Sequence, residues 1–376
     1  MFLSEKERDE TIWACRFCMM CHVADRVGQV VRRESYTPRG RGAIIYALDK
    51  GLLPYDEGVA DIMYTSLNDR LIQEWCVGHY DHEELVIDER SRIFRRGLAP
   101  EEVARTCAEL RKNPIRGRNP ETVLKLADVK IQPGAEVLLF CGHTAREFRP
   151  DTLVAAGRLL NKAGIPFSVL PDEPTSGWAL YQLGDFEGAA AVSKLLAEKI
   201  TESKAKTVVT LDAEAYRMLM GRTTRFGGDL KGVAVQHIHR VVADWIRQGR
   251  LKPATSLNYD ATYHDPCVLA RYFEDVESPR FILKSILKKE LREMATCKKS
   301  ANCCGAGGML AVHRPDVSEK VARMRMEEAR ETGAALLISG CPRCDLTFES
   351  ARASEGFVGL RIANLMDIVA EAVGVL

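Results

Sequence analysis

No stretch of this 376-residue chain reaches the roughly 18 consecutive apolar residues of a membrane span, so no transmembrane segment is expected. The first residues, Met1 to Glu10, are charged and lack the apolar core of a secretory leader. The expected location is the cytoplasm, with peripheral membrane association still open. Charge of one sign is not in excess either: 53 Lys and Arg meet 52 Asp and Glu, a formal net charge of +1. That argues against a nucleic-acid binder relying on a broadly basic surface, and a protein partner fits better. No Gly-x-Gly-x-x-Gly follows a strand-like run and no Walker loop occurs, so no flavin, NAD or nucleotide site is visible. With 46% hydrophobic and 28% charged residues, disorder is not expected, and the length allows two or three domains.

What the chain does have is cysteine. Twelve thiols in a cytosolic protein read as metal ligands before disulfides, because that compartment keeps thiols reduced, and nine of the twelve fall into two sets. The larger set runs from His264-Asp265-Pro266-Cys267 through Asn302-Cys303-Cys304-Gly305-Ala306-Gly307-Gly308 to Gly340-Cys341-Pro342-Arg343-Cys344. Adjacent cysteines diverge and do not easily chelate one tetrahedral ion together. A multi-iron cluster offers each its own iron, and the glycines let the backbone curl close around it. The alternative is a structural zinc held by four of these thiols, with Cys341-x2-Cys344 as one half.

This pattern resembles the cysteine-rich CCG domain of the B and D components of heterodisulfide reductase. It is also similar to the iron-sulfur subunits of glycolate oxidase, anaerobic glycerol-3-phosphate dehydrogenase and lactate-utilisation systems. The resemblance implies that Cys267, Cys303, Cys304, Cys341 and Cys344 hold one noncubane [4Fe-4S] cluster. Cys297 lies outside the pattern and reads as a spare thiol.

The second set opens the chain. Cys15-x2-Cys18-x2-Cys21 begins like the bacterial ferredoxin run C-x2-C-x2-C-x3-C-P, whose fourth cysteine ligates the other cluster, but the fourth place here is Asp25. Counting back from Cys76 by the same rule gives Ser66, Asp69 and Ile72 where a second run would have cysteines. All ligands of one cubane are thus present, as Cys15, Cys18, Cys21 and Cys76, and all of the other are missing. The reading is one [4Fe-4S] cubane in a helical two-cluster ferredoxin frame that has shed its partner; Cys76 as a bystander, with another fourth ligand, is the alternative. Between the sets, Thr37-Pro38-Arg39-Gly40-Arg41 resembles the Ser-Pro-Arg-Gly-Arg element of the same iron-sulfur proteins. It reads as a turn entering a helix, with its arginines either against an anionic cluster or in solvent.

The expected fold is α/β with an N-terminal all-α ferredoxin-like domain, followed by two tandem pseudo-repeated α/β CCG half-domains with parallel sheets. The boundaries are 1–125 for the helical domain with the cubane, 126–256 for a degenerate first repeat and 257–376 for the intact repeat. Pro100 to Lys112 reads as an amphipathic helix with Val103, Cys107 and Leu110 on one face, and Arg116 to Pro120 as a linker. Strands are expected at 137–141, 166–170, 207–211, 261–265 and 334–339, with helices at 151–163, 186–200, 279–289, 316–332 and 364–373. Overlaying the halves puts Cys141 opposite Cys267, Thr175-Ser176-Gly177 opposite Cys303-Cys304-Gly305, and Asp212 and Ala215 near Cys341 and Cys344. One thiol of five survives there, as a buried strand-end residue or a leftover in an open pocket lined by Trp178 and Tyr181.

His264 and His313 flank the larger set, and each reads either as a donor to cluster sulfur or substrate or as a structural histidine. His22, His79 and His82 flank the cubane cysteines, and His237 and His239 fall on an expected helix. A cubane beside a CCG-type centre describes an electron relay. The resembling proteins take electrons from a flavoprotein dehydrogenase or demethylase and pass them to a quinone, an electron-transferring flavoprotein or a disulfide. The first expectation is therefore an iron-sulfur electron-transfer subunit. The alternatives are a reductase acting on a disulfide or quinone at the noncubane site, and a zinc-bearing scaffold.

Overall fold

The computed structural model describes residues 3–353 and 356–376. Met1 and Phe2, which open the stretch read as leaderless, lie outside the described residues. Among the described residues ahead of Val137 every regular element is helical. These short helices start where the sequence offers a side-chain acceptor to free backbone N–H groups: Ser4, Thr37, Asp56, Asp81 and Asn119 each cap one. The helix Glu101–Lys112 buries Val103, Cys107 and Leu110, so Cys107 is a core residue. No described helix is long and apolar enough to cross a membrane.

Two parallel sheets follow. The first contains β1 (Val137–Phe140), β2 (Phe167–Ser168), β3 (Thr207–Thr210) and β4 (Ala234–His237) in the order β2-β1-β3-β4. The second contains β5 (Ala261–His264), β6 (Leu336–Ser339) and β7 (Arg361–Asn364) in that order. In register, Phe140 pairs with Thr210 and Thr210 with His237, while His264 pairs with Ser339 and Ser339 with Asn364. Strand ends therefore lie level in each sheet, and the loops that leave them open on one edge, where ligands of open parallel sheets bind. Helices Pro150–Lys162 and Leu365–Ala372 pack on each other, and one core joins Leu139 and Val209 of the first sheet to Tyr263 and Ile338 of the second.

Two strands were not expected. β4 and β7 are edge strands whose outward residues are polar or exposed, so neither carries the continuous apolar run of a buried parallel strand. His237, expected on a helix, ends β4 and caps the helix Ile238–Arg247. The expected strand at 166–170 pairs only at Phe167 and Ser168, an edge bounded by Pro166 and Pro171.

A second core runs from the N-terminal helices into the C-terminal part, placing Ile45, Met63 and Leu85 in one cluster with Cys303, Leu310 and Val317. Its pivot is Arg90, fully buried on the helix His82–Arg95. The guanidinium donates to five carbonyls: Met63 (2.9 Å), Tyr64 (3.1 Å), Ser66 (3.0 Å), Gln182 (2.8 Å) and Gly308 (2.7 Å). All its donors are satisfied without a carboxylate. Burial lowers its pKa to about 9.

Candidate metal centres

The larger cysteine set converges at the carboxyl ends of β5 and β6. Cys267 stands three residues past β5, and Cys341 follows β6 to begin the helix Pro342–Arg352, with Cys344 in its first turn. The loop bearing Cys303 and Cys304 is held by Arg271, which donates to the carbonyls of Lys299 (2.9 Å) and Ala301, and by the Ser318 hydroxyl on Gly305 O (2.8 Å). Gly305 has φ +98°, and a Cβ there would lie 2.4 Å from Ser318 O. Gly308, at φ +61°, leaves no room either, because a Cβ would meet Ser66 O at 2.2 Å.

All five thiols are brought together, in a chain of contacts from Cys267 to Cys303, Cys304, Cys344 and Cys341. Hydrogen bonds from Cys267, Cys304 and the N–H groups of Gly305 and Gly307 hold the Cys303 thiol well below its ordinary range. Sharing a proton with a neighbouring sulfur, together with burial, drives Cys267, Cys304 and Cys344 well above it. Five contiguous buried sulfurs, which as thiolates would repel one another, suit a multi-metal cation better than one four-coordinate ion. A ring nitrogen of His264 joins the sulfurs of Cys304 and Cys344 within 4.8 Å, all buried. Cys297 stands apart, near Glu293 and Asp265.

The smaller set also converges. Cys15, Cys18, Cys21 and Cys76 line one cavity of about 330 Å³ together with Arg39, Ile72 and Tyr80. Cys18 is exposed at its mouth. The donor set, four thiols around one small hollow, fits a cubane. Of the two arginines in the Thr37 turn, Arg39 reaches this cavity and donates to Phe17 O (3.1 Å), while Arg41 is fully buried and spent on the carbonyls of Ile62 (3.1 Å) and Thr65.

Asp25, Ser66, Asp69 and Ile72, the four positions where a second run would carry cysteines, line a separate cavity of about 320 Å³. Ile72 borders both cavities. Asp69 is pushed up to about 6 by burial, and burial raises Asp25 too. Ser66 and Leu67, which line this second cavity, are also the backbone against which Gly307 and Gly308 pack. The thiol-free cavity therefore adjoins both thiol sites.

The first sheet holds no comparable set among the described residues. Cys141 is fully buried, its N–H donating to Glu173 (2.7 Å), and burial holds its thiol well above its ordinary range. It is a strand-end packing residue; Trp178 and Tyr181 are core as well. Counted from the strand ends, Cys141 stands level with Asp265, and His143 with Cys267, so the expected overlay is off by two residues at this point. Asp212 and Ala215 do stand level with Cys341 and Cys344. There Glu214 accepts from Arg343 at 2.9 Å, a half-buried ion pair within electrostatic reach of Cys341.

His313 lies away from the thiols, bridging Asp61 (2.8 Å) and Glu102. His22 pairs with Glu34 at 2.9 Å, and His82 is buried. Sequence reasoning missed Arg90, Arg271 and Arg325, which position the thiol loops through backbone carbonyls and one imidazole. Only their place in otherwise packed segments hints at burial.

Residues 261–349 match the family model of the cysteine-rich CCG domain. Over 251 residues the chain is 34% identical to the D component of dihydromethanophenazine:CoB–CoM heterodisulfide reductase from Methanosarcina mazei, covering 66% of this chain and 61% of that one. It is 30% identical over 223 residues to a probable iron-sulfur-binding oxidoreductase, FadF, of Bacillus subtilis, covering 58% of this chain and 31% of that one. It is 24% identical over 372 residues to EtfAB:quinone oxidoreductase of Syntrophomonas wolfei, covering 92% and 51%. The chain spans less than two thirds of the length of each of these relatives.

Proposed function

We propose, from the premise that this chain is a CCG-domain iron-sulfur protein of the oxidoreductase class, that it is the electron-transfer subunit of a flavin-dependent dehydrogenase or demethylase. Cys15, Cys18, Cys21 and Cys76 would hold one [4Fe-4S] cubane, and Cys267, Cys303, Cys304, Cys341 and Cys344 one noncubane [4Fe-4S] cluster. Bound there, the two groups supply one-electron transfer. The protein's part is to insulate, space and tune them. The boundaries at 125/126 and 256/257, the ferredoxin-like frame and the pseudo-repeat belong to this reading, as does a cytoplasmic location, with peripheral membrane association open. The observation that carries it is the pairing of two separate thiol sites, four lining one cavity and five in mutual contact, on one chain.

The partner reading rests on the surface around the four-thiol cavity. Trp13, Phe17, Met19, Met20, Trp75 and Val77 are large apolar side chains left exposed beside the cysteines, with Cys18 exposed among them. An apolar rim around the edge of a redox centre suits a protein partner that brings its own carrier. The name of the Syntrophomonas relative joins an electron-transferring flavoprotein to a quinone, which supports a flavoprotein on one side of the relay and a quinone on the other. Anaerobic purification with iron, sulfide and zinc analysis tests the proposal. About eight irons per chain are expected, and zinc without labile sulfide refutes it.

A second reading has one observation in its favour. A groove of about 960 Å³, lined by Ala306, Met309, Leu346 and Arg343, opens beside the five-thiol loop. It suits a catalytic reductase that brings a disulfide or quinone to the noncubane cluster. Turnover of such an acceptor by the isolated chain with a small-molecule donor would favour this reading over a relay.

A further inference from the structure

His264 ends β5 fully buried, its ring set edge-on against Phe348 with centroids 5.0 Å apart. Its Nδ1 lies 3.1 Å from Nε of Arg325, which is itself fully buried on the helix Pro315–Glu331. A guanidinium Nε always carries a hydrogen and never accepts, so Nδ1 must be the acceptor. The imidazole is then neutral and its proton sits on Nε2. Arg325 cannot turn away, because its Nη1 is bound to Thr296 O (2.9 Å), Thr296 Oγ1 (2.9 Å) and Glu328 (2.6 Å). Among the described residues Nε2 has no hydrogen-bond partner.

A buried donor left unmatched is costly. One ring nitrogen lies within 4.8 Å of the sulfurs of Cys304 and Cys344, and with Nδ1 taken by Arg325 the nitrogen free to serve them is Nε2. A metal ligand needs a lone pair on the nitrogen that faces the metal, and the Arg325 contact puts a proton there instead.

Resting on the proposed noncubane cluster, we propose that His264 is a hydrogen-bond donor to the thiolates of Cys304 and Cys344, held in its Nε2–H tautomer by Arg325. It is a positioning residue that sets the cluster's reduction potential, and it is not a ligand. Reduction adds one electron to the cluster and places more negative charge on its sulfurs. The N–H contact strengthens in that state and favours it. No atom or proton is transferred.

The test uses the full chain carrying both centres, prepared anaerobically, with EPR-monitored redox titration. His264→Phe removes the donor while keeping an aromatic ring. It should retain about eight irons and shift the noncubane midpoint negative by about 59 mV, a tenfold loss of preference for the reduced state. His264→Gln, which restores an N–H, should recover most of that shift, and the cubane midpoint should stay in place in both. Pulsed EPR of the unaltered chain labelled with ¹⁵N-histidine needs no variant. It should show an exchangeable proton coupled to the noncubane centre and no directly coordinated ¹⁵N. A coordinated ¹⁵N, stoichiometric metal loss in His264→Gln, or an unchanged midpoint in His264→Phe with the signal intact overturns the inference alone. Absence of the noncubane signal from the unaltered chain overturns it together with the cluster reading.

Discussion

Among single residues, Cys303 and Cys304 separate a cluster from a zinc most sharply. A five-thiolate centre uses both, so Cys303→Ser and Cys304→Ser should each abolish the same EPR signal and leave the cubane reducible by dithionite. A four-thiol zinc site tolerates loss of one of them. His313 offers a pH test away from the metals. Hydrogen bonds to Asp61 and Glu102 hold its pKa above the ordinary value against the opposing effect of burial. A group whose folded pKa is raised stabilises the fold fully below the unfolded value and loses that contribution as pH rises through the folded one. Melting of the holoprotein should therefore fall as pH rises from the ordinary histidine value through the raised one. In His313→Gln that slope should flatten, at a cost of about 1–2 kcal/mol on the acidic side. The thiols were legible because ligand chemistry writes itself into residue type and spacing. Arg90 was not, because a guanidinium that serves only backbone carbonyls leaves no partner residue for the sequence to show.

Among elements, the turns at Asp25 and at 66–72 carry the most distinctive expectation. Their four side chains surround one hollow close in size to the thiol-lined one beside it. The combined variant Asp25→Cys, Ser66→Cys, Asp69→Cys and Ile72→Cys should therefore accept a further cubane, raising iron from about eight to about twelve per chain with a new EPR signal. Iron unchanged after reconstitution would mean that the frame does not descend from a two-cluster arrangement. Cys76→Ala should instead remove the existing cubane, with Ile72→Val neutral for iron. The main strands and long helices were readable from apolar runs and periodicity, within a residue or two at most ends. β4 and β7 escaped because each is only four residues long and mixes polar with apolar side chains, Ala234-Val235-Gln236-His237 and Arg361-Ile362-Ala363-Asn364, leaving no apolar run to read. Cys141 was misplaced against Cys267 because it follows its strand directly, whereas Cys267 stands three residues past the end of its own.

For the whole molecule, the exposed apolar rim predicts where electrons cross to another protein. Met19→Glu combined with Val77→Glu places two charges on that rim without touching a proposed ligand. The second-order rate of cubane reduction by the partner flavoprotein should fall about tenfold or more, while reduction by methyl viologen radical should not change. Equal rates with the partner in both proteins would move the crossing point elsewhere. The N-terminal helices and the five-thiol loop share a core whose contacts join residues more than two hundred positions apart, packing that no local spacing in the sequence shows. Arg90 is the joint of that core, binding Ser66 on one side and Gly308 on the other. A spacer built this way leaves no slack between the centres. The internal hop should then keep its rate when glycerol thickens the medium, while the encounter with a partner slows in proportion, so the two steps of the relay can be told apart by viscosity alone.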